Sequence, residues 1–227
     1  MTKKLTLLLF LISVLYFRCD KKQTELEFEQ SVVYEIFPAL MDSLYYDFRL
    51  KLPRPPKPIF NEKGEIIGTD TTGNGKELAD YKKRKTELKA DSIKLVIAIR
   101  DSVYSLELKE REELLKHFSE HNLILNSNDF STEYKIDLEK LIADDKLKFK
   151  YLSEFPKGGS NIWKNEYAFY LNATTSLSRI QFDSTKSFGI FNSGMGCGKL
   201  CGTGVRVFIR KVNGKWIIDE IIVNEIA

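Results

Sequence analysis

The feature that most constrains the fold is a pair of strand-like segments joined by Asn213-Gly214. Ahead of this dipeptide, apolar residues alternate with arginines in the order Val205, Arg206, Val207, Ile209 and Arg210. After it, Trp216 to Ile226 forms a second β-rich run. Asn-Gly favours the positive backbone angles of a type I′ turn, whose twist matches that of paired antiparallel strands. The spacing therefore predicts a β-hairpin in this part of the chain.

Further strands are predicted ahead of the hairpin. Residues 178–182 alternate between apolar and polar side chains, 183–186 form a turn, and 187–192 continue the pattern. Residues 93–99 are almost continuously apolar and β-branched, as in a buried strand, and 148–152 form another candidate. We therefore expect an α+β fold in which N-terminal helices pack on a C-terminal antiparallel meander. This arrangement is similar to cystatin-like and nuclear-transport-factor-like folds, a likeness that carries no function.

Two amphipathic helices are predicted from apolar spacing. Apolar residues recur at helical intervals from Val33 to Phe48, and Pro38 within them either begins the helix or kinks it. The second helix is expected from Glu107 to Phe118, with Ser105 as its N-cap and Asn122 near its end. We expect its apolar residues to point inward, namely Leu108, Leu115 and Phe118.

A polar surface region separates these helices. Four of the six prolines fall in residues 52–58, and turn-forming residues follow, so 52–76 is expected to be an exposed segment with a loop or small hairpin. The basic run Lys82–Lys85 lies in a polar, helical stretch next to Asp80 and Glu87. A solvated helix face accounts for it.

The net positive charge of the chain comes from the N-terminal leader. The chain has 35 Lys and Arg against 32 Asp and Glu, and Lys3, Lys4 and Arg18 account for the whole excess of +3. This excludes nucleic-acid binding driven by bulk charge. The apolar run from Leu5 to Phe17 covers only about 20 Å as a helix, which is short of the roughly 30 Å core of a bilayer. Residues 1–18 are therefore predicted to be an export signal.

Cys19 follows this run directly and precedes a polar stretch, which resembles the lipid-attachment motif of bacterial lipoproteins. The resemblance implies a lipidated cysteine with a tether at 19–30 and a location in the cell envelope, with the outer membrane expected. About 200 mature residues suffice for one domain or at most two small ones, and we expect a single domain at 31–227. The bulky residues Tyr16, Phe17 and Arg18 depart from the family's preference for small residues before the cysteine. A secreted protein without lipid and an uncleaved anchor are the alternatives.

Assigning Cys19 to lipid leaves Cys197 and Cys201 as a pair in an oxidising compartment. Three intervening residues allow their Cα atoms to approach within about 6 Å, so we predict a structural disulfide between strands. A redox-active pair is the alternative, and a structural zinc site lacks further cysteines. The loop is glycine-rich, which suits turns and bulges better than a phosphate cradle. Lys199 and Leu200 at its tip are the first candidates for contact with a partner.

His117, Glu120 and His121 match the H-x-x-E-H pattern of inverted zinc proteases. In that pattern the histidines hold zinc and the glutamate acts as base. The predicted helix ends at this point and no third ligand is identifiable downstream, so the cluster is only a weak metal candidate. Two histidines also suit a helix C-terminus. No cofactor is expected.

Four C-terminal motifs resemble lipoproteins of Bacteroidota-type bacteria: Trp163 to Tyr170, Leu177-Ser-Arg-Ile180-x-Phe182, Cys197-Gly-Lys-Leu-Cys201-Gly and Asn213-Gly-Lys-Trp216. The resemblance implies an envelope location and no particular activity. The preferred hypothesis is therefore a non-enzymatic envelope module that binds a protein or a glycan. The alternative is a small periplasmic enzyme, either a hydrolase using the histidine cluster or a thiol redox protein using Cys197 and Cys201.

Overall fold

The computed structural model describes residues 23–126 and 132–226, except for the side chain of Leu108. In these residues, seven strands form an open sheet: β3 (Leu95–Ile99), β4 (Leu147–Tyr151), β5 (Tyr170–Leu177), β6 (Gln181–Phe182), β7 (Phe188–Gly198), β8 (Cys201–Val212) and β9 (Lys215–Ile226). Their order is β4–β3–β5–β7–β8–β9, and the short β6 pairs with β7. β3 is parallel to β4 and β5, whereas the other pairs are antiparallel. The predicted α+β class is confirmed, with a mixed sheet.

Helix α1 (Glu25–Leu44) covers one face of this sheet. Thr24 caps it, because the Thr24 hydroxyl accepts from the Glu27 amide at 3.2 Å and the Glu27 carboxylate accepts from the Thr24 amide at 2.8 Å. The apolar stripe of the helix is buried against alternate residues of the central strands, and the helix side of this contact comprises Val32, Val33, Ile36, Phe37, Leu40 and Met41. The predicted stripe thus builds the main core.

Helix α3 (Leu108–His117) covers the opposite face. Leu114 and Phe118 pack there against Ile190 and Phe208, which alternate along β7 and β8 with residues of the α1 core. Both faces of the central strands are therefore covered by helices.

Helix α2 (Asn74–Ala90) and a hairpin of β1 (Lys57–Phe60) with β2 (Ile66–Asp70) lie outside the two cores. Only Leu88 of α2 is buried, and the basic run Lys82–Lys85 is exposed, as predicted. The segment 52–76 contains the small hairpin that the turn residues suggested.

Several helix predictions were wrong in detail. Pro38 lies inside α1, which begins at Glu25 and ends at Leu44, so the proline does not begin the helix. Glu107, and not Ser105, is the N-cap of α3, and it makes no side-chain cap. Leu115 is 38% exposed because Leu114 takes the inward position. Leu108 was predicted to point inward, but its side chain lies outside the described part.

The strand predictions were mostly confirmed. Asn213 and Gly214 have φ angles of 51° and 82°, as the predicted turn between β8 and β9 requires. Strand β5 was missed, because polar residues such as Asn172 and Thr175 interrupt its pattern. These side chains are satisfied by distant backbone: Asn172 bonds to Tyr46 and Phe48, and Thr175 donates to the Gly194 carbonyl at 2.8 Å. Of the predicted strand at 178–182, only β6 is regular.

Two buried arginines join the helices to the sheet. Arg179 forms a bidentate ion pair with Glu29 of α1, with distances from 2.8 to 2.9 Å, and Glu29 also accepts from the Ile180 amide at 3.0 Å. On the other face, Arg206 pairs with Glu110 of α3 at 2.8 Å and also contacts Glu113. Each pair fixes one helix to the strand region beneath it.

We expect Arg179→Met to lower the free energy of unfolding by about 3–5 kcal/mol at pH 7, because it leaves a buried carboxylate without its partner. Burial already raises the pKa of the Glu29 carboxyl, against the opposing effect of Arg179. In the variant, the folded state therefore takes up a proton before the unfolded state does, as pH falls from 7 towards about 4.3. The difference in free energy of unfolding between wild type and variant, measured by urea titration, should therefore decrease over that pH range.

The control is the double variant Glu29→Gln/Arg179→Met, which retains no buried charge at this position. Its loss of stability should be smaller than that of Arg179→Met at pH 7 and nearly constant with pH. A loss in the single variant that does not change between pH 7 and pH 5 would contradict this account.

Candidate functional site

The hairpin of β7 and β8 ends in a disulfide. Cys197 lies near the end of β7, Cys201 begins β8, and their Cα atoms are 5.1 Å apart, so the predicted disulfide is confirmed. We call residues 197–201 the tip loop. Lys199 and Leu200 form its turn, and the Leu200 side chain is 90% exposed. The tip loop therefore presents an apolar side chain to solvent on a covalently closed support.

A groove of about 590 Å³ lies beside the tip loop, on the face of the sheet that α1 covers. We call it the tip groove. Its walls come from the end of α1 and the segment after it, from β7 and β8, and from the outer strand β9, including Leu44, Phe48, Met195, Ile221, Val223 and Ile226. The groove exists because α1 ends at Leu44 while β8 and β9 continue past it. Its volume falls within the usual range of ligand sites, about 300–1,000 Å³.

Four glycines that the sequence suggested as parts of a loop lie within strands, namely Gly194 and Gly196 in β7 and Gly202 and Gly204 in β8. A Cβ atom on Gly196 would lie 2.6 Å from the Thr174 hydroxyl oxygen on β5. Glycine therefore allows β7 to approach β5 closely. A register shift between Gly196 and Gly198 forms the expected irregularity at the start of the tip loop.

Several apolar side chains around the tip groove are exposed to solvent. Ile226 is 83% exposed and Val223 is 54% exposed, and both lie on the same groove as Leu200. Contiguous exposed apolar surface commonly marks a contact with another molecule. Sequence reasoning identified Leu200 but missed the β9 residues, although the apolar run from Ile221 to Val223 after Glu220 was a signal.

The histidine cluster does not assemble as a metal site. Nε2 of His117 lies 2.8 Å from Asp219 of β9, its Nδ1 lies 3.3 Å from Glu220, and its ring stacks on Phe208 at 3.8 Å. Glu120 and His121 lie in a separate 3₁₀ turn. Within the described ranges, no group of three or more His, Cys, Asp or Glu residues could hold a metal ion. His117 thus fastens α3 to β9.

Two other cavities of about 460 Å³ each lie away from the tip loop. One follows β3 and β4, and there Asp101 accepts hydrogen bonds from the Ser153 amide at 3.0 Å and hydroxyl at 2.6 Å. The other lies between α1, α2 and β3, with Leu50 and Leu88 in its walls. Neither is lined by exposed aliphatic residues of an outer strand, as the tip groove is by Val223 and Ile226 of β9.

The predicted lipid-attachment residue, Cys19, lies outside the described residues. In residues 23–126 and 132–226, no helix has the length and apolar character needed to cross a bilayer.

We expect Cys197→Ser and Cys201→Ser each to lower the free energy of unfolding by about 2 kcal/mol, as the loop-entropy argument gives for so small a ring. Reduction of the wild type should produce the same loss, and reduction of either variant should add none. Thermal melting with and without reductant measures both. Unchanged melting in the variants would show that the disulfide does not stabilise the fold.

Comparison with known proteins yields no relative: no family model, no curated protein and no solved structure matches this chain. A function must therefore be inferred from the geometry of its own residues.

Proposed function

We propose that the protein is a non-enzymatic binding module of the bacterial cell envelope, held at a membrane by acyl chains on Cys19, which contacts a protein partner through the tip groove. The leader sequence and the resemblance to lipoproteins support the location. The exposed apolar residues Leu200, Val223 and Ile226 around one groove support the binding role. This apolar surface is the single observation that carries the proposal.

The lining of the groove favours a protein over a glycan as the partner. Its walls are mainly apolar, with Leu44, Met195, Ile221 and Val223 among them. Sugars require several well-placed hydrogen-bonding groups, whereas aliphatic and aromatic side chains of a protein gain free energy from apolar burial, about 25 cal/mol per Å². The disulfide limits the entropy that the tip loop loses on binding, which favours affinity.

We expect Cys19→Ala to move the full chain from the membrane fraction to the soluble fraction, because the acyl chains would be lost. Two or more acyl chains anchor a protein stably, and one chain does not. Intact mass of the wild type extracted from its own membranes should give a chain that begins at Cys19 and carries acyl groups. A wild-type mass that begins at Met1, or a soluble wild type without lipid, would contradict the anchor.

The tip groove is tested by a photo-crosslinking amino acid placed at position 200 in the full chain, in cells that express it natively. We expect a discrete protein adduct at this position. The matched control is the same amino acid at Ile66, which is 68% exposed on the β1–β2 hairpin, away from the groove. Val223→Ser, on the groove wall, should reduce the adduct formed at position 200 several-fold.

A glycan adduct, the absence of any adduct at position 200, or equal adducts at positions 200 and 66 would contradict the proposed contact. The Cys19 experiment reads out the anchor separately, so failure of one leaves the other standing.

A further inference from the structure

In the part of the chain that the structure describes, no strand pairs with the outer edge of β9, since β8 is its one neighbour in the sheet. Its first half, Lys215 to Glu220, is charged, and Asp219 there pairs with Arg210 at 2.7 Å and with His117 at 2.8 Å. Its second half, Ile221 to Ile226, contains only one charged residue, Glu225. Charges are a common protection of sheet edges against added strands. The second half largely lacks that protection.

Residues in this open half border two different environments, one on each face of the sheet. Val223 pairs with Val205 and Ile226 with Thr203, and all four line the tip groove. Glu225 pairs with Gly204 across a bulge, and both line a pocket on the face that α3 covers. The same short edge therefore borders an apolar groove on one face of the sheet and a polar pocket on the other.

This second pocket, of about 350 Å³, carries an excess of acid, and we call it the acidic pocket. Its charged lining consists of Glu107, Lys109, Glu110, Arg206 and Glu225. The three glutamates of this lining exceed its two cations by one charge, and Arg206 also contacts Glu113 outside the lining. The second carboxylate oxygen of Glu110 is buried and has no hydrogen-bond partner among the described residues. The pocket is thus suited to a cationic side chain.

We propose that the partner adds an extended strand to the edge Ile221–Ile226, with aliphatic side chains directed into the tip groove and lysine or arginine side chains directed towards the acidic pocket. The inference rests on the proposed function and specifies its partner. Successive side chains of a strand point to opposite faces of a sheet. An added strand therefore meets the two environments in alternation.

In this mode of recognition, main-chain hydrogen bonds to the free edge supply affinity. Side chains at alternate positions supply specificity. A segment that alternates aliphatic and basic residues fits both faces, whereas one that alternates aliphatic and acidic residues places like charges next to Glu225. The charge of the acidic pocket therefore favours basic over acidic segments. The apolar tip groove determines which face of the added strand, the aliphatic one, points towards it.

The test uses the full chain and three end-blocked peptides of eight residues. The first alternates valine and lysine, the second alternates valine and glutamate, and the third has the first sequence with N-methyl groups on alternate amides, so that one edge of the peptide cannot donate hydrogen bonds. Fluorescence anisotropy of labelled peptides measures binding. We expect the valine–lysine peptide to bind at least tenfold more tightly than the valine–glutamate peptide, and the N-methylated peptide to lose binding.

Hydrogen exchange then locates the bound peptide. Amides within 221–226 should become protected by the valine–lysine peptide, whereas those within 66–70 on the exposed hairpin should not. Glu225→Gln should weaken binding about threefold, as expected for an exposed ion pair. Lys215→Gln, a neutral substitution in the other half of β9, is the matched control and should leave binding unchanged.

Equal affinity for the two charge patterns, protection outside β9, or self-association of the chain through β9 in place of peptide binding would overturn this inference. If no peptide binds while the adduct at position 200 persists, the strand-addition mode is wrong and the proposed function stands. If the adduct is absent as well, both are wrong.

Discussion

The buried pair of Glu29 and Arg179 is the interaction on which the arrangement of α1 depends. Apolar burial attracts the helix to the sheet, but it is non-directional and does not select where along the sheet the helix lies. This bidentate pair has one geometry only. Glu29 also accepts from the Ile180 amide, and Arg179 also donates to the Thr132 carbonyl. We infer that this pair fixes the position of α1, and that Arg206 with Glu110 does the same for α3 on the opposite face.

The position of α1 in turn determines where the sheet stays open. The helix ends at Leu44, and Asn172 then holds the following segment through bonds to the Tyr46 carbonyl and the Phe48 amide, both 3.1 Å. Because this segment turns towards β5, it does not cover the far ends of β8 and β9. The tip groove is the uncovered remainder of the sheet face. The position of α1 and the tip groove, which we propose as a binding surface, are thus linked through ordinary packing.

The sequence predicted those elements whose signal is local. The Asn213-Gly214 turn, the apolar stripe of α1 and the disulfide each depend on residues close together in the chain. The missed features depend on distant partners. Arg206 follows the alternation of a strand, but its burial requires Glu110, 96 positions earlier in sequence. Strand β5 contains the polar residues Asn172 and Thr175, which conceal its pattern. They can be buried because they bond to backbone groups that only the folded chain brings near. The open half of β9 could be recognised only once its neighbours in the sheet were known.

The direction of α1 has a consequence for the proposed distance between the tip groove and a membrane. The helix has 20 residues and begins at Glu25. It is about 30 Å long at 1.5 Å per residue. An acylated Cys19, as proposed, would hold the start of the helix within about 20 Å of the lipid, since six residue steps reach no further even when fully extended. The tip groove lies at the opposite end of the same helix. With the proposed anchor at Cys19, the length of α1 would thus separate the tip groove from the lipid-attachment point. A partner in the aqueous space could then reach the groove without entering the lipid surface.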